Sequence, residues 1–217
     1  MFLSKAEIDE LDLDIARIHA ATGVRVVAAE IGKADTYEEL LWKAFALGAS
    51  LAALAVVGAE LFRPRAPQHP YLTLFSAVIL LAAGALVALL AIFVPAFGRF
   101  FLDGVRCEIE VGHYAQALFL RRELFKTPHR NAVLILVSRF ERRVHILPDT
   151  GLHGTVADAE LQAVIERMKP ALRAARTADA LHAGLAALQE MLVRTGHKGD
   201  AGADREPPDQ LIEEKGA

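Results

Sequence analysis

Four side chains within one stretch could do chemistry: Arg130, Glu141, Arg142 and Asp149. Asp149 sits in Pro148-Asp149-Thr150-Gly151, a turn composition. A carboxylate held in such a turn is the hard oxygen ligand that Ca2+ or Mg2+ takes. One carboxylate falls far short of a site, so a divalent metal there needs Glu141 or main-chain carbonyls beside Asp149. Arg130 can bind phosphate through its planar guanidinium, or fix the entry to the following strand with a salt bridge. Glu141 and Arg142 fall at the tip of an expected hairpin, where a solvated turn is the simplest reading. His145, Asp149 and His153 recur every four residues. Pro148 and Gly151 keep a single helix from presenting all three to a transition metal. No residue is identified as catalytic.

Other chemistries find little to stand on. The chain has no Gly-x-Ser-x-Gly elbow, no His-Glu-x-x-His and no phosphate-cradling Gly-rich loop. Cys107 is the one cysteine, so it cannot pair within the chain, and without nearby His and Asn/Asp partners it reads as a small buried hydrophobe. A net charge of −3 gives no global reason to expect nucleic acid. The 53% hydrophobic content exceeds the about 45–50% of soluble domains, while the charged fraction of 24% is ordinary. The apolar excess must therefore be concentrated. No cationic start, apolar run and small-residue cleavage site stand in that order at the beginning, so the N-terminus is expected to belong to the mature fold.

The elements that must position these side chains follow from periodicity. Ser4-Lys5-Ala6-Glu7 matches a capping box, Ile8, Leu11, Ile15 and Ile18 follow at helical spacing, and Gly23 ends the helix. Val24–Ile31 is rich in β-branched residues between Gly23 and Gly32 and predicts a strand. Val105–Val111 alternates and suggests another strand, with a continued helix as the competing reading. Tyr114–Phe125 reads as a helix. Asn131–Ser138 is nearly continuous apolar, the composition of a strand buried on both faces, and Arg143–Leu147 alternates as its antiparallel mate. Two helices follow, Ala157–Met168 and one started by Pro170 and running to about Arg194. The fold class is α/β, a small mixed sheet flanked by helices.

The apolar excess lies between the two halves of that domain. Tyr71–Gly98 is an uncharged run of 28 residues. As helix that is about 42 Å, against roughly 30 Å of hydrocarbon. Ala44–Ala59 is uncharged for 16 residues and reaches spanning length over Leu41–Phe62, with Lys43 snorkelling and Trp42 at an interface. Three prolines in Arg63–Pro70 break the chain between them. Two antiparallel transmembrane helices, about 41–62 and 72–94, are expected within a hairpin over 41–98. Small residues on both (Gly48, Ala52, Gly84, Ala88) allow close approach, and neither carries a mid-span ionisable group, so they read as an anchor and not a conduit.

One helix and one strand before the hairpin cannot bury a core alone. Residues 1–40 and 99–196 are therefore expected to form one discontinuous soluble domain, with 197–217 a flexible tail whose Leu211–Glu214 piece can dock. From Arg99 to Arg143 there are nine Lys/Arg against five Asp/Glu, while the first forty-three residues hold five basic against nine acidic. The halves attract each other. Lys33, Lys43, Arg99 and Arg106 on the domain side outnumber Arg63 and Arg65 in the hairpin turn, which favours a cytoplasmic domain.

The run from Thr127 to Leu152 resembles the signature of the TPM-domain family: a Thr and an Arg before an apolar strand, a Glu-Arg hairpin, a second strand and an Asp-x-Gly turn. Asp35-Thr36-Tyr37 at the entry to the hairpin and the closing Pro208-Asp209-Gln210-Leu211-Ile212 are similar to a bacterial membrane branch of that family. His145, Pro148, Thr150 and Asn131 depart from the residues more frequent at those places. Plant relatives act in repair of photosystem II and have been described as phosphatases. The resemblance implies a multi-pass protein of a bacterial inner membrane with a binding or membrane-protein quality-control role, and the lipid bilayer and other membrane proteins as partners. The alternative it implies is a phosphatase that depends on Ca2+ or Mg2+, with Asp149 and Glu141 toward the metal.

Overall fold

The structure is a computed structural model and describes residues 3–62, 70–197 and 211–216. The expected turn over 63–69 and the tail over 198–210 lie outside the described residues. In chain order the elements are α1 (Lys5–Thr22), β1 (Arg25–Ile31), α2 (Glu38–Phe62), α3 (Pro70–Phe93), α4 (Pro95–Gly98), α5 (Gly104–Arg121), β2 (Ala132–Ser138), β3 (Arg143–Pro148), α6 (Asp158–Arg173), α7 (Thr177–Arg194) and β4 (Ile212–Glu214). The chain divides into two compact units: Thr36–Gly104, and Met1–Asp35 together with Val105–Ala217.

The second of these is built on a four-stranded sheet in the order β3-β2-β1-β4. β1 pairs parallel with β2, from Arg25 opposite Ala132 to Ile31 opposite Ser138. β3 is antiparallel to β2, and β4 is parallel to β1. The pleat sends alternate side chains to opposite faces. Val26, Ala28, Val133, Ile135 and Val137 pack with Leu11 and Ile15 of α1, Leu161 and Met168 of α6, and Leu185 and Leu188 of α7. Val27, Ala29, Ile31, Leu134 and Leu136 meet Val111, Ala115 and Leu118 of α5 on the other face. Both faces are covered, which is why β1 and β2 are apolar almost throughout.

α1 begins as its sequence requires. The Ser4 hydroxyl accepts from the Glu7 amide at 3.3 Å, and the Glu7 carboxylate accepts from the Ser4 amide at 2.7 Å. Gly23 closes it at φ 65°, a conformation that costs glycine no Cβ clash. The chain leaves this unit after Asp35 and re-enters it at Val105. An ion pair of 3.3 Å between Arg106 and Asp35 brings exit and re-entry together.

Two expectations are corrected here. Val105–Val111 is not a strand but the start of α5. Its buried Cys107, Val111, Ala115 and Leu118 form one stripe at helical spacing, a pattern that seven residues in isolation cannot distinguish from alternation. Pro170 does not start a helix: it lies inside α6, and the break comes at Ala174–Arg176, with Ala175 at φ 56°. The Leu211–Glu214 piece of the tail docks, as its composition allowed. Ile212–Glu214 adds to β1, the Glu214 carboxylate accepts from the Tyr114 hydroxyl at 2.6 Å and pairs with Arg121 at 2.9 Å, and Glu213 accepts from the Leu3 amide at 2.7 Å.

In the other unit, α2 and α3 pack along their small residues. A Cβ on Gly48 would lie 2.7 Å from the Ala83 carbonyl oxygen, and one on Gly84 would lie 2.7 Å from the Phe45 ring. Both helices are long and apolar enough to cross a membrane. Their apolar side chains are largely uncovered, with Leu54 and Phe75 each 70% and Phe93 77% exposed. α3 stops at the residue before Val94-Pro95, since a residue preceding proline is pushed out of helical geometry.

Candidate functional site

The sequence-predicted site residues fall at opposite ends of the β2–β3 hairpin. At one end, the Asp149 amide donates to the Ala132 carbonyl at 2.8 Å, extending the β3–β2 ladder by one pair. Asp149 is buried, and its Oδ1 accepts from the Thr150 amide at 2.7 Å and from Arg130 Nε at 3.0 Å. Arg130 Nη2 lies 3.0 Å from the same oxygen, so the guanidinium closes on one carboxylate atom. Asp149 Oδ2 has no hydrogen-bond partner among the described residues. Thr127 adds the next tie: its carbonyl accepts from the Arg130 amide and its hydroxyl from the Asn131 amide, both at 3.0 Å.

Gly151 completes this end. Its amide donates to the Arg130 carbonyl at 2.9 Å. A Cβ there would fall 2.1 Å from the His129 carbonyl oxygen and 2.6 Å from that of Arg130. The Asp-x-Gly pattern is thus a packing requirement: the turn after β3 lies against the loop before β2, and only glycine fits.

At the other end, the hairpin loop is bonded to the chain just after β1. The Arg139 and Phe140 amides donate to the Ile31 and Gly32 carbonyls at 3.1 and 3.0 Å. Glu141 is buried; its Oε1 accepts from the Ala34 amide at 2.9 Å and its Oε2 from the Ser138 hydroxyl. Glu141 is therefore not the solvated turn residue its position suggested. Arg142 is exposed at φ 53° with no ion-pair or hydrogen-bond partner among the described residues.

β2 runs seven residues between these two ends. At about 3.3 Å per residue it holds Asp149 and Glu141 roughly 20 Å apart. They cannot share a metal ion, which corrects the paired ligand set. Arg130 puts a cation against the one carboxylate that remains. Among the described residues no three His, Cys, Asp or Glu side chains are grouped to hold a metal. Among the described residues, Asp149 alone does not complete the oxygen set of a Ca2+ or Mg2+ centre.

One further acidic residue, outside every motif of the sequence, is buried in the sheet. Glu30, on β1, is 0% exposed and faces the α1, α6 and α7 layer. Burial pushes its carboxyl above the ordinary value, and Arg139, whose Nε lies 3.6 Å away, pulls the other way. The signal was present in the sequence as one acid inside an otherwise apolar strand. His145 of β3 packs beside Gly112 of α5, and burial keeps its imidazole below the ordinary value against a weaker pull from Glu108.

Residues 102–191, from α5 through most of α7, match the family model described as the TPM domain. The chain carries a TPM domain. The solved structure of the BA42 protein from the psychrophilic bacterium Bizionia argentinensis is similar in fold, with a TM-score of 0.59 over 99% of this chain and 97% of that one at 12% identity. No curated protein matches the sequence. Within the TPM domain, the Thr127, Arg130, Glu141, Asp149 and Gly151 positions are the ties that hold the ends of the hairpin.

Proposed function

We propose that this chain is a membrane-anchored TPM-domain accessory protein that binds other membrane proteins, in a quality-control role, and does not turn over a substrate. The observation that carries the reading is the use made of Asp149, Arg130 and Glu141: each is engaged in holding a loop of the domain. On this reading residues 1–40 and 99–196 act as one discontinuous soluble domain. α2 and α3 cross a bacterial inner membrane, which is what covers side chains as exposed as Leu54 and Phe93. The domain faces the cytoplasm, following the excess of Lys33, Lys43, Arg99 and Arg106 over Arg63 and Arg65. Its partners are the lipid bilayer and membrane proteins, not nucleic acid.

One observation favours a second reading, a divalent-metal-dependent phosphatase: the buried, unpartnered Oδ2 of Asp149. The two are separated by assaying the full chain in detergent on p-nitrophenyl phosphate, with and without Ca2+ or Mg2+. The expected result is no turnover above buffer in any condition. Metal-dependent turnover that Asp149→Asn abolishes while the domain stays folded would overturn the binding reading.

A further inference from the structure

Each edge of the sheet is finished differently. β4 is three residues long, and its two glutamates are taken up by Leu3, Tyr114 and Arg121. β3 is a six-residue strand with β2 on one side only. The bond from the Asp149 amide to the Ala132 carbonyl sets the phase of the antiparallel ladder. Arg143, His145 and Leu147 then direct their backbone groups at β2, and Val144, Ile146 and Pro148 direct theirs away from it. The outward amides and carbonyls of Val144 and Ile146 have no partner among the described residues. Pro148, which has no amide to offer, occupies an outward position, the one place in an edge strand where proline costs no ladder bond.

A groove of about 290 Å³ runs beside this edge. Val111 of α5 and Leu161, Ile165 and Leu172 of α6 supply its apolar wall, and Glu108, Asp158 and Lys169 line it as well. At the start of β3 stand Arg142 and Arg143, both exposed and without an ion-pair partner among the described residues. Edge strands are commonly shielded by inward charges, bulges or a covering element. β3 instead offers free backbone groups, an apolar wall for alternate side chains and two unpaired cations at one end. Those are the three requirements of strand addition with a charge preference.

We propose that the outer edge of β3 takes up an extended segment of a partner polypeptide, with alternate apolar side chains against α6 and an acidic residue against Arg142 and Arg143. The inference rests on the binding reading above and specifies its surface. The bound segment pairs with Val144 and Ile146 and ends its ladder at Pro148.

The test uses the full chain in detergent and two fluorescent heptapeptides of alternating valine and threonine, one flanked by aspartates and one by lysines. The acidic peptide is expected to bind, to slow hydrogen exchange at the Val144 and Ile146 amides and to leave that of the inward Leu147 unchanged. Val144→Pro, which deletes an outward amide without touching the β2 ladder, and the Arg142→Glu/Arg143→Glu double variant are each expected to weaken it at least tenfold. Equal binding of both peptides, protection away from β3, or an unaffected Val144→Pro variant would overturn the proposal. So would binding of phosphatidylglycerol nanodiscs that needs the two arginines and leaves Val144 and Ile146 unprotected, since that assigns the cations to headgroups. Failure here with no phosphatase turnover removes this surface alone, whereas metal-dependent turnover removes the binding reading beneath it.

Discussion

Replacing Thr36–Gly104 with a short Gly/Ser linker is expected to convert the protein from one that needs detergent into a water-soluble, cooperatively folding domain. Both apolar clusters of the sheet are assembled from residues on either side of the excised segment and none within it. The cut ends are already adjacent, since Asp35 and Arg106 form an ion pair at 3.3 Å. A linker of a few residues closes such a gap at small entropic cost. Insertions and deletions succeed where the ends lie close together at a surface. A single cooperative thermal transition monitored by circular dichroism is the expected readout. An aggregated product, or one with native-like helix content and no transition, would show that the domain depends on the segment for its core.

The second large effect is expected from one methyl group. Gly151→Ala places a Cβ 2.1 Å from the His129 carbonyl oxygen. No rotamer change relieves it, because the obstacle is backbone and the Gly151 amide is bonded to the Arg130 carbonyl on the same loop. Overpacking a tight site costs about 1–3 kcal/mol, and a backbone clash this close belongs at the upper end. For a domain of this size that is a fall in melting temperature of about 6–12 °C. The loop shift also draws Arg130 off Asp149, whose buried carboxylate then loses its cation. Gly154→Ala is the control: φ is 98° there, but nothing lies within 4 Å, so only the backbone conformation is penalised. Equal melting temperatures for the two variants would contradict the packing role given to Gly151.

How much of this could be read from residues alone depended on the range of the forces involved. Ser4, Glu7 and Gly23 act locally, so α1 was readable to its caps. β1 and β2 are buried on both faces, and their near-continuous apolar runs pointed to a shared sheet because neither half could otherwise bury a core. α2 and α3 stood out by composition, and their ends follow from Glu38 and Pro95. What failed was set by tertiary contacts. Cys107 and Val111 alternate as well as they spiral, and only the packing of α5 on Leu134 and Leu136 decides between them. Pro170 was read from its backbone chemistry, yet α6 tolerates it in its last turn. The docking of Ile212–Glu214 was open in the sequence, but its place on β1 is set by Leu3 and Tyr114, 210 and 100 residues away from their partners.

The site shows the same division. Asp149, Arg130, Glu141 and Arg142 were found by type and turn chemistry, and Arg130 does form the salt bridge at the strand entry that was one of its two readings. Their grouping was wrong, because proximity in sequence across a hairpin says nothing about the length of the strands between. Glu141 looked solvated at a hairpin tip and is instead buried by the segment after β1, a contact between residues 107 apart. Glu30 was visible as an acid in an apolar strand but carried no motif to draw attention to it.

The proposed function requires α2 and α3 to cross a membrane as a hairpin. The crossing is tested most directly by paired thiol labelling in a Cys107→Ala background, with one variant carrying Gln68→Cys between the two helices and another Lys5→Cys at the start of α1. With a membrane-impermeant maleimide applied to intact cells, Gln68→Cys is expected to react from the periplasmic side and Lys5→Cys only after the inner membrane is breached. The opposite pattern would keep the crossing and reverse its orientation. Reaction of both positions from the same side would contradict the account.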